Sequence, residues 1–165
     1  MKKTTLFITL AVATLCSFFF TGNIHQTVNA LPHDKENNIS FTIANHSVRD
    51  NMQQHHDLLQ IIRSNKELNQ LRDKTQLNFD CLIAKYDDAF FEKQAIIVYM
   101  FTEPSISFER TITGLYRKND TLTLLVERNN PSSMLRMMLY KTEVLEVCRF
   151  SVSGATNIKD QIRQM

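Results

Sequence analysis

The side chains able to do chemistry are few, and their spacing limits what they can do. Ser105, Ser132 and Ser133 lie in polar stretches that read as loops, but none has a Gly-x-Ser-x-Gly setting, and the histidines all precede residue 57. A nucleophile with its general base is therefore not indicated. His55-His56-Asp57 invites a metal ion, yet adjacent histidines point to different sides of any regular element, and neither His33 nor His46 completes a ligand motif. Asp87 and Asp88 are neighbours, so on a helix their carboxylates diverge by roughly a hundred degrees and cannot easily share one site. Only three glycines occur in the chain, one of them Gly22, which excludes a phosphate-cradling loop. The residues thus indicate no catalytic group, no metal site and no cofactor.

The cysteines point to a compartment. Residues 1–30 begin Met1-Lys2-Lys3, continue with an apolar stretch from Leu6 to Phe20 and end Val28-Asn29-Ala30. A basic start, an apolar middle and small residues before a cut after Ala30 are expected of a secretory signal peptide. The apolar stretch is shorter than the ~20 residues of a spanning helix, so no membrane insertion is expected once the leader is removed. Cleavage removes Cys16 and leaves Cys81 and Cys148. An even pair in an exported chain reads as a disulfide, which in the chain-entropy model contributes on the order of 4 to 5 kcal/mol for so long a loop. Loss of Lys2 and Lys3 also leaves 17 basic against 17 acidic groups, and a zero balance argues against nucleic acid as a partner. The sequons at Asn38, Asn45 and Asn119 read as incidental, because the leader looks bacterial.

The elements that position these residues follow from periodicity. Residues 31–57 form a polar lead-in with one strand, Ile39 to Ile43, alternating at period two. Leu58 to Ile62 is a short apolar run, read as a strand ending near Arg63, because Ser64 and Glu67 have capping-box spacing and start a helix over 65–74 with Leu68 and Leu71 inward. Asp87 and Asp88 suit a helix N-terminus and Lys93 its other end, with Phe90 and Phe91 on the buried side. Ala95 to Phe101 is apolar without alternation and is stopped by Glu103-Pro104-Ser105, which predicts a strand covered on both faces. Residues 108–116 and 121–128 flank Lys118-Asn119-Asp120, a hairpin turn whose Asn and Asp tolerate left-handed angles. After a loop containing Pro131, a closing strand is expected over 137–152, and residues 153–165 are a polar tail, either a frayed helix or disordered.

The expected fold is α+β: one domain, mainly an antiparallel β-sheet containing 95–101, 108–116, 121–128 and 137–152, with one or two short helices packed against it. Tyr86-Asp87-Asp88-Ala89-Phe90-Phe91-Glu92-Lys93, the apolar strand that follows, Glu103-Pro104-Ser105, the hairpin, Pro131 and Leu145-Glu146-Val147 resemble a small exported bacterial domain found in the PrcB type of protease-complex subunit. The resemblance covers roughly residues 58 to 150 and places the domain at 58–152. It implies an α+β or mainly β domain outside the membrane, without catalytic residues, that assists a secreted protease assembly.

A secreted, non-catalytic protein-binding or accessory role is accordingly expected, extracellular or in the cell envelope, with another exported or cell-envelope protein, a protease among them, as partner. The alternatives are a secreted protease inhibitor using the loop over 129–134, or a small hydrolase. The partner-binding candidates are Met134, Leu135, Arg136 and Met137. Methionine is unbranched and polarizable and adapts to apolar surfaces, and Arg136 supplies a charged anchor. The competing expectation is that this segment starts the closing strand and fills the core, since Met138 shares its parity with Tyr140 and Val144.

Overall fold

The computed structural model describes residues 26–28, 38–44, 57–75, 85–105, 107–131 and 138–165. In chain order these form β1 (Gln26–Val28), β2 (Phe41–Ala44), β3 (Leu58–Ile62), α1 (Asn65–Thr75), α2 (Asp88–Lys93), β4 (Gln94–Glu103), β5 (Arg110–Lys118), β6 (Thr121–Arg128), β7 (Leu139–Cys148), a 3-10 turn (Phe150–Val152) and β8 (Asn157–Gln164). Strands dominate, two short helices pack on them, and the domain is α+β.

β4 organises the rest. It lies between β7 and β3, antiparallel to both, in a sheet of order β1-β2-β7-β4-β3. Every residue from Ala95 to Phe101 is buried, because successive side chains leave opposite faces and each face meets a separate core. On one side Ile96, Val98 and Met100 pack with Leu68 and Leu71 of α1, Phe91 of α2 and Tyr86. On the other, Ala95, Ile97, Tyr99 and Phe101 pack with Ile112, Leu115, Leu122, Leu124 and Val126.

That second core overturns the expectation of one sheet holding all four C-terminal strands. β5 and β6 belong to a separate sheet of order β5-β6-β8, stacked on the first. A strand apolar on both faces needs cover on both. Two short helices cover one face of β4, and the hairpin supplies the other layer, which it could not do from a neighbouring place in the same sheet.

Local signals account for the hairpin and the helices. Lys118 pairs with Thr121 and the turn has φ = 58° at Asn119, a left-handed angle that asparagine tolerates. A bulge at Thr113, between the pairs Ile112↔Val126 and Gly114↔Leu125, shifts the alternation by one. Ile112 and Leu115, of opposite parity in sequence, consequently enter the same core. At α1 the Ser64 hydroxyl accepts from Glu67 N (3.2 Å), while the Glu67 carboxylate reaches back to Arg63 N (2.7 Å), one residue earlier than an ordinary capping box. Asp87 caps α2 by accepting from Phe90 N at 2.8 Å.

Two ends differ from expectation. The closing strand is shorter than 137–152: β7 stops at Cys148 and the chain turns through Phe150–Val152. The polar tail is neither helix nor disordered but β8, parallel to β6 from Thr121↔Asn157 to Arg128↔Gln164. Ile158 and Ile162 stand four apart, a spacing that keeps one face of a helix and equally one face of a strand. Asp120 ties down the start of β8, its backbone carbonyl accepting from Thr156 N and its carboxylate from the Thr156 hydroxyl at 2.9 Å.

Candidate functional site

Among the described residues, the densest ionisable cluster lies where β4 ends between the sheets. Glu103 continues the inward parity of Tyr99 and Phe101, so its carboxylate enters the interior with its side chain 1% exposed. Arg110 opens β5 and Arg128 closes β6. The two are direct cross-strand partners, a like-charge pair that would repel without the carboxylate between them. Arg128 grips Glu103 with Nε at 3.0 Å from both oxygens and Nη2 at 2.6 Å from Oε2, and Arg110 Nε donates to Oε1. The Arg110 guanidinium also lies 4.4 Å from the Phe101 ring centroid and that of Arg128 lies 3.8 Å from Phe108, so both cations keep aromatic cover.

The network continues to the C-terminal strand. Tyr99 OH accepts from Arg110 Nη1 and donates to Asp160 Oδ2 at 2.9 Å. Burial, together with the Asp160 carboxylate that accepts its hydrogen bond, pushes the Tyr99 phenol above the ordinary tyrosine range. Burial alone would raise Glu103; the hydrogen bonds from Arg128 and Arg110 outweigh it and hold that carboxyl below its ordinary value. An ionised Glu103 receiving two guanidinium groups has no proton to give at neutral pH. The arrangement clamps the two sheets together.

A second cluster lies at the other end of β4 and β7. A cleft of about 330 Å³ is bounded by Ser40, Thr42, Lys93, Gln94, Glu146 and Cys148. Tyr86 OH donates to Glu146 Oε1 at 2.8 Å and Lys85 Nζ contacts the same oxygen. Cys148 is exposed, and backbone N–H groups of Phe150 and Ser151 lower the pKa of its thiol. Its expected disulfide partner, Cys81, lies outside the described residues.

The remaining sequence candidates separate as follows. Met134, Leu135, Arg136 and Met137 lie outside the described residues, as do Ser132, Ser133 and the histidines 33, 46, 55 and 56. Met138 is 55% exposed, against the expectation that its parity buries it. The strand begins only at Leu139, so the alternation that buries Val144 does not extend back to Met138. Ser105 is buried, its hydroxyl accepting from Ser107 N, and Asp57 accepts from Thr102 N at 2.8 Å. Asp87 is a helix cap. The Glu103 cluster was missed because the glutamate reads as the stop of an apolar run. Its parity with Tyr99 and Phe101 was the available signal.

No protein-family model, curated protein or solved structure matches the chain.

Proposed function

We propose that the chain is an exported, non-catalytic protein-binding domain that serves another exported or cell-envelope protein, a protease in the case the resemblance implies. The observation that carries this reading is Met138. More than half exposed, it stands at the threshold of β7 with its sulfur accepting from Tyr140 OH at 3.6 Å, and it continues Met134, Leu135, Arg136 and Met137 in sequence. An apolar, polarizable side chain left in water gains by meeting a partner's surface. Saturation of Glu103 by two arginines supports the non-catalytic side of the proposal.

The test is capture of proteins from culture medium on the immobilised processed chain, identified by mass spectrometry. Met138→Glu and Met137→Glu are expected to abolish capture of an exported partner and leave the melting temperature nearly unchanged. Undiminished capture, or unfolding by Met138→Glu, defeats the reading. The same compartment argument keeps Cys81 and Cys148 as a proposed disulfide, which thiol titration of the exported protein with and without reductant decides.

One observation favours the inhibitor alternative. The base of the 129–134 loop is pinned, Asn129 N donating to Glu109 O at 3.1 Å and Asn129 Oδ1 accepting from Glu109 N at 2.6 Å, and a rigid base suits a loop that enters a protease cleft. Inhibition of a secreted protease that is lost on shortening this loop would select it.

A further inference from the structure

The outer edge of the five-stranded sheet is closed by a strand that the protein is expected to lose. β1 runs antiparallel to β2, with Gln26 opposite Ile43, Thr27 opposite Thr42 and Val28 opposite Phe41. It lies inside the leader, immediately before the expected cut after Ala30. β2, in contrast, is rooted in the body: Phe41 and Ala44 are buried, and all four of its residues pair with β7 from Phe41↔Val147 to Ala44↔Val144. A strand of three residues with one neighbour holds a severed leader only weakly. Cleavage therefore leaves the edge of β2 unpaired, and such an edge is a template for another strand.

We propose that β1 is a place-holder, and that in the processed chain the β2 edge takes up, antiparallel, an extended apolar-polar-apolar segment of the exported partner. The proposal rests on the binding-domain reading above and on cleavage after Ala30. The seated leader strand supplies orientation and register. Neighbouring residues supply the side-chain preference. Phe41 and Ile43 face the core between the sheets, and Ile43 is only partly buried there, so an apolar residue opposite it gains cover. The leader has Gln26 at that register position, where an apolar residue of a partner segment suits Ile43 better. Thr42 lies in the cross-strand row that continues to Glu146, and both border the cleft that Lys93 and Cys148 also bound. A polar residue opposite Thr42 therefore looks onto that cleft.

The test uses the processed protein collected from medium, its N-terminus sequenced first, and labelled synthetic peptides spanning residues 23–30. A Gln26→Ile peptide is expected to bind more tightly than the unaltered one, and a Thr27→Pro peptide about tenfold more weakly than the unaltered one. Binding of the Gln26→Ile peptide should slow amide exchange over residues 41–44. A mature N-terminus upstream of residue 26, no binding of the Gln26→Ile peptide, or protection of 41–44 without peptide in a species of doubled mass each overturns the proposal; the last outcome assigns the edge to a second copy. If the peptide fails while Met138→Glu still abolishes partner capture, the edge proposal falls and the binding-domain reading survives.

Discussion

Successive residues of β4 enter two interiors built in different ways. Ile96, Val98 and Met100 meet helices through apolar and aromatic side chains, where Tyr86, Phe90 and Phe91 meet edge-on or tilted with ring centroids 4.7 to 6.4 Å apart. Ile97, Tyr99 and Phe101 begin an equally apolar contact with the second sheet, but Glu103 ends it in a network of ions and hydrogen bonds. Dispersion and burial hold a helix to a sheet without demanding one orientation. Directional bonds from Arg110, Arg128, Tyr99 and Asp160 tie β4, β5, β6 and β8 at one corner and restrict how the sheets align.

Breaking the polar corner should cost most. Glu103→Gln leaves two guanidinium groups in the interior without their counter-charge, and a loss of about 3 to 5 kcal/mol is expected in chemical denaturation. A loss below 1 kcal/mol would mean that water already screens the pair. The same carboxylate gives that corner a pH dependence. Its folded pKa is lowered, so its contribution is complete above the unfolded value of about 4.3 and disappears as pH falls through the folded value. Melting temperature against pH should show this acid limb in the native protein and a flatter one in Glu103→Gln.

On the helix side Leu68→Ala, at a fully buried position, should cost about 2 to 5 kcal/mol and keep the native acid limb unchanged. An altered limb there would show that the two interiors are coupled and would undo the contrast. Smallest is Asp87→Ala, which removes the cap of α2 and should cost about 1 kcal/mol, read by thermal unfolding. A cost near zero would mean that α2 is held by Phe91 alone.

The features legible in the sequence are those with local causes. Lys118-Asn119-Asp120, Ser64 with Glu67, and the unbroken apolar run to Phe101 each act within a few residues, and the corresponding turn, helix and doubly covered strand follow. The division into two sheets was not legible, because it depends on what must cover β4 rather than on any property of 110–128. β8 was missed for a related reason: a strand as polar as Asn157–Gln164 carries no burial signal, and it is placed by pairing with β6 and by Asp120, Tyr99 and Tyr116. Of the site, the exposure of Met138 escaped notice because parity was extended beyond the first residue of the strand.

The order of strands also sets when the molecule can fold. Phe41 waits for Val147 and Ala44 for Val144, while β8, the last strand, inserts no hairpin but lies parallel to β6 with β7 intervening in the chain. Pairings so distant in sequence require loop closure before any contact repays it, which slows formation of the native sheets. A chain emerging N-terminus first therefore cannot complete either sheet until β7 and β8 have emerged. Until then apolar strands such as β4 are transiently open, the interval in which aggregation competes.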